Sequence, residues 1–226
     1  AHIASALLRD NGKAILQYGQ TEGYPPLRQS LPGYIQDTFA AQVQEDHVLV
    51  TTGSMQGLDL LLKTLVNPGD AVLTESPAFL GALQAMSSYQ ANIVPVNSDD
   101  EGIDIDHLEE MMRKWRPKLL YIIPTFQNPT GRTLSLNRRE QVARLAARYE
   151  VVVAEDDPYR SLRYRGQHVP TIKSFDEEGW VVLLGSFSKV VSPGLRVGFM
   201  AGDAQLMRRC AVCKQCTDVH NANLNQ

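Results

Sequence analysis

Seven short runs of apolar and β-branched residues most constrain what this chain can fold into. They are HVLVTT (47–52), AVLTES (71–76), NIVPV (92–96), KLLYIIP (118–124), VVVAED (151–156), VVLLGS (181–186) and VGFMAG (197–202). Several are continuously apolar instead of alternating, so they read as strands covered on both faces, the pattern of a mostly parallel sheet. Helices have to supply that cover. The stretches between the runs offer them: MQGLDLLLKTLV, FLGALQAMSSY, IDHLEEMMRKW with Asp106 and Glu109 in capping-box spacing, and LNRREQVARLAARYE behind Ser135. The expected fold is α/β, a mostly parallel seven-stranded sheet with helices on both faces.

Residues 1–47 differ from the rest. A short helical piece leads to YGQTEGYPPLR and then to the amphipathic LRQSLPGYIQDTFAAQ, where Pro32 and Gly33 predict a helix that starts late or kinks. We read 1–47 as an N-terminal arm and 48–226 as one large domain. The chain begins with Ala1 instead of Met and ends in the polar string HNANLNQ, so the expectation is part of a longer polypeptide.

A net charge of −3 gives no reason to expect nucleic acid or an anionic membrane as partner, and a small molecule fits better. No run approaches the roughly 20 apolar residues that span a bilayer, and the expected location is the cytoplasm. Three cysteines, Cys210, Cys213 and Cys216, are too odd in number for full pairing and suit a reducing compartment. Their spacing suggests a metal centre, but only His220 follows where a fourth ligand is needed. DAQLMRRCAVCKQCTDVH reads instead as a helix with structural cysteines, and no metal is expected.

In an open α/β sheet ligands sit beyond the carboxyl ends of the strands. The residues following these strands are Gly53-Ser54, Ser76-Pro-Ala-Phe79, Asn128-Pro-Thr-Gly131, Asp156-Asp-Pro-Tyr159 and Ser186-Phe-Ser188-Lys189. Lys189, straight after the apolar run VVLLG, either escapes to solvent or does chemistry; desolvation and a cationic neighbour would keep its amine nucleophilic. Gly53-Ser54-Met55 opens a helix, where free amides and the helix dipole favour an anion, and Ser186, Ser188 and Arg196 can complete the cup. Asp156 alternates away from Glu155 and Asp157 along its strand. Asp157 suits a turn cap, and Arg163 and Arg165 read as solvated charges.

In chain order YGQTEGYPPLR, TTGSMQGLDLL, NPGDAVLTESPAF, PTFQNPTG, EDDPYRSLRY and GSFSKVVSPGLRVGF resemble the large domain of fold type I pyridoxal-phosphate enzymes. Among these the chain is most similar to the class I/II aminotransferases, in the branch of 2-aminoadipate, kynurenine and aromatic aminotransferases. The resemblance covers nearly the whole chain. It implies pyridoxal 5'-phosphate as cofactor and an amino acid and a 2-oxo acid as substrates. Lys189 is then the Schiff-base lysine and proton shuttle, and Asp156 the partner of the pyridine nitrogen. Asn128 and Tyr159 become donors to the ring's phenolic oxygen, with Asn128 also near the substrate carboxylate. Phe79 becomes the stacking aromatic, and Gly53, Ser54, Met55, Ser186, Ser188 and Arg196 the phosphate site.

Met55 departs from the polar residue usual in relatives, which removes a side-chain bond but not the backbone amide. Tyr18 matches a tyrosine that reaches the neighbouring subunit's phosphate, implying a homodimer with composite sites. The Asn128–Pro129 bond is expected to be cis. By the same resemblance, the arginine that binds the substrate carboxylate in relatives is expected in a C-terminal small domain that would begin beyond Gln226. Two alternatives remain at this point. A MocR-type regulator would read more like HQYPTG and EDDYD where this chain has FQNPTG and EDDPY, and a lyase or decarboxylase would use the same lysine.

Overall fold

The computed structural model describes residues 2–226. Its strands are β1 (Val48–Thr51), β2 (Ala71–Glu75), β3 (Asn92–Val96), the short pair β4 (Ser98–Asp99) and β5 (Gly102–Ile103), β6 (Leu119–Ile122), β7 (Val152–Asp156), β8 (Val181–Ser186) and β9 (Gly198–Ala201). The helices are α1 (His2–Ile15), α2 (Pro25–Phe39), α3 (Ser54–Leu65), α4 (Leu80–Ser88), α5 (Ile105–Trp115), α6 (Leu136–Tyr149) and α7 (Ala204–Gln215). Seven strands form one sheet in the order β1-β9-β8-β7-β6-β2-β3, while β4 and β5 form a separate hairpin. From β8 to β3 every neighbouring pair is parallel, and only β9 runs against both its neighbours. The carboxyl ends of β1, β2, β6, β7 and β8 therefore share one edge of the molecule.

Alternation along each strand splits the core in two. Val72, Tyr121, Ala154 and Leu184 pack with Leu58 and Leu61 of α3, Met86 of α4 and Met207 of α7. On the opposite face Leu73, Leu120, Val153 and Val181 pack with Leu108 and Met112 of α5 and Val142 and Ala146 of α6. A third core sets Leu31, Ile35 and Phe39 of α2 against Val48, Val50 and Phe199. Each fully buried aliphatic side chain contributes about 1.5–3 kcal/mol. Asp156, two residues beyond Ala154, belongs to the α3 side, and Glu155, two beyond Val153, to the α6 side.

Several local expectations are corrected. α2 neither starts late nor breaks: Pro25 and Pro26 lie in its first turn, where no backbone donor is needed, and it continues through Pro32. The buried stripe Leu31, Ile35, Phe39 outweighs the one backbone bond that Pro32 removes. The cap of α5 is Asp104, whose carboxylate accepts the His107 N–H at 3.0 Å, so Asp106 and Glu109 lie inside the helix. Ser135 stands at the N-cap of α6 but its hydroxyl caps nothing. α7 stops at Gln215, short of His220, where the Thr217 amide reaches Lys214 O only three residues back and tightens the last turn. Cys210 is buried, Cys213 half-buried and Cys216 exposed, all as free thiols, and the Thr64 hydroxyl lies 3.6 Å from Cys210 Sγ.

Candidate active site

The loop after β1 and the loop after β8 meet in a tight cup. Gly53 takes φ +84°, and a Cβ there would stand 2.8 Å from Arg196 Nη2. A Cβ on Gly198 would lie 2.6 Å from Gly185 O and 2.8 Å from Gly53 Cα, so two backbones touch where side chains are missing. Arg196, itself at φ +53°, donates from Nη2 to Thr52 O (3.2 Å) and from Nη1 to Ser188 Oγ (3.3 Å). The Ser188 N–H in turn donates to Ser186 Oγ at 3.2 Å. A guanidinium and two hydroxyls thus surround the N-terminus of α3, where the first amides, Ser54 and Met55 among them, have no partner inside the helix. This is an anion cradle with a fixed positive charge.

Beneath it lies Asp156, 3% exposed at the end of β7. Its Oδ2 accepts the Tyr121 hydroxyl at 2.8 Å, while Oδ1 is buried without a partner. Burial pushes its pKa up to about 6, against the opposing pull of the Tyr121 hydroxyl and of the Ser54 hydroxyl, which stands near the carboxylate but makes no hydrogen bond to it. Glu155, on the other face, has both oxygens occupied by the Ile172 and Lys173 amides, at 2.7 and 2.8 Å. Asp157 accepts from Thr125 Oγ1 (3.2 Å) and lies 3.7 Å from Arg160 Nη1, so it answers a buried cation.

Gln127 joins two further loops. Its Nε2 donates to Pro77 O (2.8 Å), and its Oε1 accepts the Thr130 amide and hydroxyl at 2.9 and 2.7 Å. The Asn128–Pro129 bond is cis, as expected, and so is Ser76–Pro77, which the sequence reading missed. Phe79 and Tyr159 are half-buried on the α3-side core, the same face as Tyr121 and Asp156. The half-buried Asn128 sits in the turn that Gln127 ties down.

Lys189 departs from the expectation of a desolvated amine: it is exposed in the turn that follows β8, where the Val190 and Val191 amides close back on Phe187 O. Strand burial ends at Gly185, four residues earlier, which is why the apolar run did not carry to the lysine. Tyr18 is 82% exposed, its ring edge-on to His220 at 5.9 Å. Arg163 is not a solvated charge: it stacks 4.7 Å over the Phe126 ring, with Nε and Nη2 buried. Arg165 is exposed, as expected.

Sequence reasoning passed over Tyr121, Gln127 and Glu75. Glu75 accepts the Ile123 amide at 2.9 Å, and burial pushes its pKa up to about 8. A lone acid closing the apolar run AVLTE was the available signal.

The family model described as aminotransferase class I and II matches residues 1–224. The chain belongs to that family. As an aminotransferase-family chain it is 40% identical to 2-aminoadipate transaminase of Thermus thermophilus over 229 residues, covering 100% of this chain and 56% of that protein. It is 38% identical to aromatic-amino-acid aminotransferase 1 of Thermococcus litoralis, covering 99% of this chain and 55% of that one. Among solved structures, LysN, the α-aminoadipate aminotransferase of Thermus thermophilus complexed with N-(5'-phosphopyridoxyl)-L-leucine, superposes with a TM-score of 0.93. That match is 39% identical and covers 99% of this chain and 57% of the other. The chain therefore spans little more than half the length of these relatives.

Proposed function

We propose that the chain is the cofactor-binding part of a pyridoxal-phosphate-dependent aminotransferase. The observation that carries this is the free, buried Oδ1 of Asp156, on the same face as the α3 N-terminus and its cup. An aromatic nitrogen cation satisfies that oxygen, and a phosphoryl group satisfies the cup. The residues present fit the cofactor at both ends.

When bound, the protonated ring supplies a sink for the electron pair left as a proton leaves the amino acid's α carbon. The Gly53, Ser54 and Met55 amides with Ser186, Ser188 and Arg196 would hold the phosphate. Asp156, oriented by Tyr121, would keep the ring nitrogen protonated. Asn128 and Tyr159 would donate to the phenolic oxygen, and Phe79 would cover the ring. Lys189 would anchor the cofactor through its amine and serve as the base that moves the proton, a task that suits an exposed amine in the turn after β8. The names of the relatives favour amino-group transfer over a lyase or regulator, and suggest 2-aminoadipate or an aromatic amino acid as donor, with a 2-oxo acid as acceptor. In a homodimer Tyr18 would serve the second site. Among the described residues no helix is long and apolar enough to cross a membrane, and the cytoplasm is our reading of where such an enzyme works.

Adding pyridoxal phosphate to the purified protein should produce a visible absorption band that 2-aminoadipate or glutamate bleaches. Lys189→Ala should lose the band while remaining folded. A folded wild-type protein that shows no band with excess cofactor refutes the reading.

A further inference from the structure

The polar C-terminal string is bound back onto the cup. Lys214, 0% exposed on α7, donates from Nζ to both oxygens of Asp218, at 2.7 and 2.9 Å. Asp218 Oδ2 accepts from Gln56 Nε2 at 2.8 Å, and Gln56 Oε1 accepts the Thr52 N–H at 2.7 Å. Asn221 Nδ2 donates to Thr52 Oγ1 at 2.9 Å, and Thr52 O receives Arg196. Thr52, the residue before Gly53, is held at its amide, carbonyl and hydroxyl by three different segments.

The polarity of this chain of bonds is forced. A backbone N–H only donates, so Gln56 must turn its oxygen to Thr52 and its NH2 to residue 218. That NH2 needs an acceptor, which a carboxylate provides on every lone pair, and the half-buried Asp218 also answers the buried Lys214 cation. An ion pair with a buried partner is a weak source of stability, and its better-attested use is to fix one arrangement among several. We propose that Gln56 and Asp218 are positioning residues for the anion cup, setting its grip on a phosphoryl group through the Thr52–Gly53 backbone. This rests on the reading of the cup as a phosphate site. In Asp218→Asn one of the two acceptor oxygens becomes an NH2, so Lys214 and Gln56 compete for the single amide oxygen and the new NH2 faces one of these two donors. Where it faces Gln56, flipping that amide to relieve the clash sets its NH2 against the Thr52 N–H, so the conflict reaches the cup.

The test compares the full chain with Asp218→Asn and Gln56→Met in titrations with pyridoxal phosphate, unphosphorylated pyridoxal and inorganic phosphate. Both variants should bind the two phosphorylated probes about tenfold more weakly and change pyridoxal binding by less than about twofold. A merely structural role weakens pyridoxal and pyridoxal phosphate by the same factor, and that result overturns the proposal, as does unchanged binding of all three. If the wild type binds inorganic phosphate but not pyridoxal phosphate, the cofactor reading fails while the phosphate comparison still decides this one. Gln56→Met leaves the Lys214–Asp218 pair intact and carries the comparison alone if Asp218→Asn does not fold.

Discussion

Asp156 shows how one position collects several constraints. Strand parity puts it on the α3 face, Tyr121 occupies one oxygen, and burial leaves the other without a partner. An uncompensated buried oxygen is a cost that a cationic ligand removes. Asp156→Asn retains the acceptor for Tyr121 but loses the charge, so pyridoxal phosphate should bind about 10- to 100-fold more weakly, as loss of a charge-assisted bond implies. An unchanged dissociation constant would detach Asp156 from the ring nitrogen. Gly198 imposes a constraint of a different kind. In Gly198→Ala the new methyl meets the Gly185 carbonyl and the Gly53 backbone, so a loss of about 1–3 kcal/mol in chemical denaturation is expected, together with weaker phosphate binding. The order of acids on β7 was legible because alternation has a period of two. Gln56 was not: its partner Asp218 is 162 residues away, and nothing local in TTGSMQG announces it. Lys189 misled in another way, since apolar flanks mark a strand but not the point at which the chain leaves it.

Among the elements, six of the seven sheet strands were readable because both faces of each are covered, which writes an apolar run into the sequence, while the edge strand β3 keeps its apolar residues with Asn92 and Pro95 exposed. The β4–β5 hairpin was not, being two residues per strand within polar NSDDEG. α2 was half-legible: its amphipathic spacing was visible, but the weight of its buried stripe against Pro32 depends on β1 and Phe199, which only the fold brings near. Gly33 follows Pro32 on the exposed side of that helix, and a Cβ there meets nothing within 4 Å. Gly33→Ala should therefore stabilise the protein by about 0.5–1 kcal/mol, by restricting the unfolded chain and improving helix propensity. Thermal unfolding checks this, and a fall in Tm would mean that α2 needs the freedom of Gly33 to pass Pro32.

At the scale of the whole molecule, the strand ends that shape the site also bury a layer of acids. Burial raises Glu75 from 4.5 to about 8, Glu155 from 4.5 to about 7 and Asp156 from 3.8 to about 6. Each binds its proton more tightly folded than unfolded, so between the two values the folded state carries the extra protons and stability falls as pH rises. The penalty is absent below about pH 4 and complete above about pH 8, by these pKa values. On the acid side Asp99 works the other way: the Arg138 hydrogen bond holds it down at about 2, a contribution lost as pH falls below its ordinary 3.8. The cofactor-free protein should then unfold at a higher temperature at pH 6 than at pH 8.5. Glu75→Gln separates this from general charge repulsion, because an amide oxygen still accepts the Ile123 N–H but cannot ionise. At pH 6 Glu75 is protonated in the folded state only, so part of the penalty is already present and the variant should be modestly more stable than wild type. At pH 8.5 its advantage should be larger by about 2–3 kcal/mol, or about 4–12 °C in Tm. An equal loss at both pH values would mean that Glu75 acts there as a packing residue, and that the buried acids do not set the pH profile of the fold.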